Sequence, residues 1–199
     1  MSILLSGYDK DILIFRVYAQ MLPEESGRQN HRSAHFAALD LLGAALARDF
    51  GVYHTKIRRS GLEKPVLVHD RLHMNLSHCK GLAVAAVGTV PLGVDAEAPR
   101  KVKETLAAKV CTKEEYAAVT SAADRALTFS KYWTLKEAYA KYTGEGIRLH
   151  FDALGFTISG DEIRFQHPAA ETVRFYQILP ENRFAVSVCV PDGSYRTEQ

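Results

Sequence analysis

Cysteine is scarce in this chain of 199 residues: Cys79, Cys111 and Cys189 are the whole set, and no two of them form a CxxC. An odd, scattered set argues against a disulfide framework or a zinc site, and a reducing cytoplasm is the expected setting. No apolar run approaches the ~18 residues needed to span a bilayer, so no membrane partner is expected. The opening MSILLSGYDK has no basic start and only a short apolar run, which does not read as a signal peptide. An excess of one charge is also missing. Lys and Arg number 25 against 23 Asp and Glu, a formal net charge of +2. A dedicated duplex-DNA binder shows a strongly basic face, so no nucleic-acid partner is expected, while a local basic patch for one phosphorylated ligand remains open. No stretch rich in Gly, Pro or Ser separates two domains. What is present is ordinary for a globular protein: 47% hydrophobic and 24% charged residues, enough for one large domain or two small ones with a real core.

Asp11 to Ala19, DILIFRVYA, is rich in β-branched and aromatic residues and predicts a strand. From about Arg32 to Phe50, Phe36, Leu39, Leu42 and Leu46 recur at three and four residues, predicting an amphipathic helix ended by Gly51. KIRRSGLEKP is a polar loop or ribbon carrying Lys56, Arg58, Arg59 and Lys64. HMNLSH and LAVAAVG predict two short strands, the second apolar enough to be buried on both faces. LGVDAEAP is a third extended run, stopped by Pro99. KVKETLAAKVCTKEEYAAVT is helical in composition, with a capping box from Thr112 and Glu115. DRALTFSKYWTLKEAYAKYTG predicts the longest helix, about 20 residues or roughly 30 Å, with Gly144 as its C-cap. The remaining third holds ALGFTIS, EIRFQH, VRFYQIL and RFAVSVCV, joined by turns, as an antiparallel meander. The order is that of an α+β protein, and it allows two halves of similar size.

Candidate chemistry collects in three places. In GVDAE, Asp95 and Glu97 are two apart on a strand, so they point the same way. Two adjacent carboxylates repel unless a cation lies between them. The plain alternative is a solvated strand face, but Leu92 and Val94 and the buried strand before them put the pair at the edge of a core. On the long helix Glu137 and Lys141 are four apart and share a face, either as an exposed pair worth ~0.3–0.5 kcal/mol or as two charges addressing a ligand. Lys136 lies beside the aromatic stripe Tyr132, Leu135, Tyr139 and Tyr142, to snorkel out to water or to face a cleft. Two strand carboxylates and a helix carboxylate would make an oxygen-rich pocket of the kind Mg²⁺ shares with substrate phosphates, with a lysine one turn on. Third, Ser77 and His78 close the strand NLSH, where with Arg32, Arg59 and Lys64 they would line a cationic wall; alone, each has a plain structural explanation.

Four segments taken together resemble the 4′-phosphopantetheinyl transferases of the larger, pseudo-dimeric, surfactin-synthetase-activator type: EKP (63–65), NLSH (75–78), GVDAE (93–97) and YWTLKEAYAKYTGEGI (132–147). The family patterns are G-K-P, N-x-S-H, G-[IV]-D-x-E and W-x-x-K-E-A-x-x-K with a G-x-G tail. The resemblance implies a pseudo-dimer of two similar α+β halves, 1–93 and 94–199 here, forming one compact unit with the ligand in the cleft between them. It implies Mg²⁺-dependent transfer of the phosphopantetheine arm of coenzyme A to a serine of an apo acyl or peptidyl carrier protein, with release of adenosine 3′,5′-bisphosphate. By matched position Asp95, Glu97 and Glu137 would bind the metal. Glu137, Lys141 and His78 would serve the reaction, and Arg32, Lys64, Ser77, His78 and Lys141 would bind coenzyme A. A chain holding both halves is expected to act as a monomer. Cys79 stands where the family often has a small hydroxyl residue, Glu63 where it has glycine, and Leu39 where many relatives have arginine. Two other functions fit the acidic trio less fully: another metal-dependent phosphoryl enzyme such as a phosphatase or nuclease, and an inactive coenzyme A or carrier-binding module. Lys56, Arg58 and Arg59 offer a basic rim for an acidic carrier.

Overall fold

The computed structural model describes residues 1–23, 28–54, 56–58, 65–193 and 195–199, with backbone alone at 28–31 and 147. In chain order the elements are β1 (Ser2–Asp9), β2 (Ile12–Met21), α1 (Arg28–Phe50), β3 (Ile57–Arg58), β4 (Val66–Leu67), β5 (His73–Cys79), β6 (Leu82–Gly88) and β7 (Gly93–Glu97). They continue as α2 (Glu104–Val110), α3 (Lys113–Ser121), α4 (Arg125–Thr143), β8 (Gly155–Ser159), β9 (Glu162–Gln166), β10 (Val173–Ile178), β11 (Ala185–Pro191) and β12 (Arg196–Glu198). The fold is α+β. Its larger sheet runs β12-β1-β2-β6-β5 and a second runs β10-β11-β7, with small β3-β4 and β8-β9 ladders beside them; every described pairing is antiparallel.

Strand alternation builds the layers. Phe15, Val17 and Ala19 of β2 and Leu82, Val84 and Ala86 of β6 face inward, meeting Val94 and Ala96 of β7 and Val186, Val188 and Val190 of β11 in one core between the sheets. The opposite positions Tyr18, Ala85 and Val87 carry α1. On the outer face of the second sheet, Phe175 and Cys189 meet Tyr132, Leu135 and Tyr139 of α4 and Phe156 of β8. The order through the molecule is therefore α1, large sheet, small sheet, α4. LAVAAVG is buried at all seven positions, as an apolar run without alternation predicts.

Several sequence expectations change. The first strand, Ser2–Asp9, was not marked by the pattern; it is held by β2 on one side and by β12, from the far end of the chain, on the other. The α1 stripe is rotated. Ala34, Ala38, Leu41, Leu42, Ala45 and Leu46 are buried, and Phe36 is 52% exposed, because small alanines let the helix lie close on the sheet. The helical run after Pro99 breaks at Cys111, where Thr112 begins α3 with the expected capping box: its hydroxyl accepts from Glu115 N–H and Glu115 accepts from Thr112 N–H. The C-terminal strands do not form one meander. β8 and β9 stand apart as a hairpin, and β11 lies between β10 and β7.

Lys136 neither snorkels nor faces the cleft. Its amine and the Glu115 carboxylate are both fully buried, 2.7 Å apart. The amine also donates to the carbonyls of Phe151 (2.7 Å) and Leu154 (2.6 Å). Glu115 accepts from Phe156 N–H at 2.8 Å as well as from Thr112. The pair so joins α3, α4 and β8. Burial pulls the Lys136 amine below its usual range and Glu115 opposes that.

Candidate active site

At the junction of the two sheets, β5 and β7 present outer edges to each other, since β5 ends the large sheet and β7 ends the small one. Two edges of unpaired backbone groups need partners. β7 obtains them from side chains: Val94 N–H donates to Asn75 Oδ1 at 2.9 Å, and Ala96 N–H donates to Ser77 Oγ at 3.1 Å. The Val94 carbonyl accepts from Lys141 Nζ at 3.0 Å.

β7 also lies tightly under α4. A Cβ on Gly93 would collide with the Ala138 carbonyl and the Tyr142 backbone nitrogen. That close approach sets Glu137 and Lys141 of α4 over Asp95 and Glu97 of β7. The four line one open cavity of about 520 Å³, with Ser77, His78 and Trp133 also on its wall.

Asp95 is 6% exposed. Its Oδ1 accepts from Lys141 Nζ at 2.7 Å and from Ser77 Oγ at 2.9 Å. Its Oδ2 is buried and has no hydrogen-bond partner. A buried carboxylate oxygen without a partner is costly. Glu97 is pushed up to about 7, first by burial and then by Asp95, with Arg100 and Lys141 pulling the other way. Glu137 is raised as well, by burial and then by Asp95, against Lys141. The donor set is all oxygen, the chemistry of Mg²⁺. The residues therefore fit a hard divalent cation, although among the described residues no three His, Cys, Asp or Glu side chains stand close enough together to enclose one as they are. Lys141 lies beside Asp95, 2.7 Å from its Oδ1.

Glu137 and Lys141 share the cavity, but the lysine's ion pair is with Asp95. His78 is adjacent to Ser77 and so points to the opposite face of β5, toward α1, where its ring meets His35 edge-on at 5.5 Å. Arg32 lies over the exposed ring of Phe36, 5.8 Å from its centre. It is His35, one helical turn on, that reaches the cavity wall. Lys64, Arg59 and Glu63 fall outside the described residues, while Pro65 lines the cavity. Cys79 is pushed up to about 12 by burial and by Glu97 and Asp95, so its thiol stays protonated. The reading of the sequence missed His35, which carries no local signal, and the structural weight of Asn75 and Gly93, whose signal was the fixed spacing of N-x-S and the glycine opening GVDAE.

Fold and site together define an α+β protein with clustered carboxylates and a lysine presented to one cleft between two sheets. The model of the 4′-phosphopantetheinyl transferase superfamily matches residues 91–192, just over half of the chain, and the chain belongs to that superfamily. The matched span carries Asp95, Glu97, Glu137 and Lys141. The 4′-phosphopantetheinyl transferase psf-1 of Bacillus pumilus is 30% identical over 145 residues, which is 69% of this chain and 62% of that protein. Sfp of Bacillus subtilis (strain 168) is 24% identical over 161 residues, 76% of this chain and 72% of that one. HetI of Nostoc sp. is 35% identical over 128 residues, 59% and 54%. The aligned part of the chain thus spans between about half and three-quarters of these relatives' lengths. Among solved structures, the holo-[acyl-carrier-protein] synthase of Thermotoga maritima aligns over 52% of this chain and 63% of its own, at 22% identity and a TM-score of 0.44.

Proposed function

We propose that this protein moves the 4′-phosphopantetheine arm of coenzyme A onto a serine hydroxyl of an apo acyl or peptidyl carrier protein, releasing adenosine 3′,5′-bisphosphate. The observation that carries the reading is Asp95 Oδ2, buried and without a partner, at a cavity shared with Glu97, Glu137 and Lys141. Membership of the superfamily supports it. Asp95, Glu97 and Glu137 would hold Mg²⁺, which when bound supplies positive charge to offset that of a diphosphate.

The chain's own residues then divide the work. Glu137, on the cavity wall with Asp95 and Lys141, takes the proton of the incoming serine. The serine oxygen forms a bond to the phosphorus that carries the pantetheine. The bond from that phosphorus to the bridging oxygen breaks, and the electron pair leaves with adenosine 3′,5′-bisphosphate. Lys141 turns from Asp95 to the diphosphate and offsets the charge that grows on the leaving oxygen. His78, with His35 beside it on the cavity wall, would meet the nucleotide's phosphate, and Arg32 and Lys64 are its further cations by the resemblance alone. We read residues 1–93 and 94–199 as two halves of one monomeric unit, with the boundary at the start of β7, and a reducing cytoplasm as its setting; none of the three cysteines is in a disulfide.

The carrier would approach through a second opening that shares Glu97 and Trp133 with the main cavity. Arg100, Lys101 and Lys103 surround it, over an apolar floor of Val102, Leu106 and Phe129. Cations around an apolar floor suit an acidic helix with one apolar face.

Incubation with coenzyme A, Mg²⁺ and an apo carrier, followed by intact-mass measurement of the carrier, tests the proposal. Wild-type protein adds one arm. Asp95→Ala and Glu137→Ala abolish the addition while their circular dichroism stays that of the wild type, and Lys141→Ala slows it by about 10²-fold. Binding of coenzyme A with no transfer marks a binding module instead, and hydrolysis without a modified carrier marks a phosphatase.

A further inference from the structure

The mechanism leaves Asn75 and Ser77 unused, yet both side chains hold the edge of β7. A serine hydroxyl has one proton and two lone pairs. Ser77 donates to Asp95 Oδ1 at 2.9 Å, and it accepts from Ala96 N–H at 3.1 Å and from Lys141 Nζ at 3.1 Å. Its one proton is spent on Asp95, so none is left to donate to a phosphate. Asn75 accepts from Val94 N–H. The spacing explains the pattern: residues 75 and 77 are two apart on β5 and project to one face. Val94 and Ala96 are two apart on β7, so their N–H groups point to the same edge. An N-x-S on one strand therefore matches two successive outward N–H groups on the next.

We propose that Asn75 and Ser77 are positioning residues that stitch β7 across the junction of the two sheets and hold Asp95 by Oδ1, leaving Oδ2 as the oxygen without a protein partner. This rests on the reading of Asp95 as a ligand of a divalent cation. Ser77 then acts through Asp95 and not on the nucleotide. Groups that hold a metal ligand by its second oxygen are worth about 10–100-fold in metal affinity.

The test combines two measurements on Ser77→Ala, with no need for turnover. Hydrogen exchange at the Ala96 amide rises about tenfold, while the Asp95 amide, on the β11 side of the strand, stays protected. Mn²⁺ titrated into the protein alone, followed by its electron paramagnetic resonance signal, binds at least about tenfold more weakly. Ser77→Thr, which keeps the hydroxyl, restores both. Should Ser77→Ala not fold, Ser77→Cys, close in size but a poor hydrogen-bonding group, carries the same test. In steady-state transfer the Ser77→Ala loss falls on kcat, and KM for coenzyme A holds. Wild-type Mn²⁺ affinity together with wild-type Ala96 protection in Ser77→Ala overturns the proposal, as does a loss confined to the KM for coenzyme A. Wild-type protein that binds no Mn²⁺ overturns the cation reading instead, a separate result.

Discussion

Single side chains decide most of the chemistry, and several act through partners that a sequence does not display. Asp95 and Glu97 were legible as a pair because strand alternation puts them on one side, and Glu137 with Lys141 because a helix returns to one face after four residues. That Lys141 would choose Asp95 over Glu137 was not legible; the choice depends on how closely α4 lies on β7. Lys136 beside Lys141 shows the same limit, since one is sealed against Glu115 and the other opens to the cavity. Away from the site, Asp49 accepts from Arg48, Tyr18 and Arg16. Its carboxyl is lowered to about 2, chiefly by the Arg48 hydrogen bonds and then by Tyr18 and Arg16, against burial. An unfolded aspartate titrates near 3.9. The stabilisation is therefore complete above about pH 4 and is lost as pH falls through about 2. Asp49→Asn should flatten the wild type's decline in Tm between pH 4 and 2, at a cost of ~1 kcal/mol at neutral pH after solvent screening. An unchanged acid limb would place the effect elsewhere.

Elements were legible where their signal is local and hidden where it is not. The capping box at Thr112 marks a helix start and so explains why one long helical run is two helices. Gly144 caps α4 with φ +79°, as a glycine after the last turn predicts. The partners of β1 and β7 were hidden. Ser6 pairs with Glu198 and Val94 with Val188, and such distant pairings leave no trace in a window of a few residues. The contact of β7 with α4 is the element-scale feature on which the site depends, and Gly93 permits it. Gly93→Ala must push α4 off the strand. The expected cost is about 1–3 kcal/mol, or roughly 3–10 °C in Tm, with transfer lost to a greater degree than stability because Glu137 and Lys141 move with the helix. A variant that melts like the wild type and transfers normally would show that the helix is not held there.

At the scale of the whole molecule, two sheets packed face to face leave one junction where strand edges meet, and the cavity opens there. Such edges need polar side chains to satisfy them, and polar side chains at a cleft are what chemistry requires. The net charge of +2 conceals local clusters: Asp95, Glu97 and Glu137 line the cavity, and Arg100, Lys101 and Lys103 stand at the adjoining mouth. Charge reversal at Arg100 and Lys103 together should raise KM for an acidic carrier about tenfold at low salt, leave KM for coenzyme A alone, and remove most of the wild type's salt sensitivity. An equal rise in both KM values would move the docking surface elsewhere. The central claim is that three carboxylates from β7 and α4 serve one arm-transfer reaction. Its most direct test is the intact mass of an apo carrier after incubation with coenzyme A, Mg²⁺ and either wild-type protein or Asp95→Ala. One added phosphopantetheine arm with the wild type and none with the variant is the predicted result; no addition with the wild type, or equal addition with both, contradicts it.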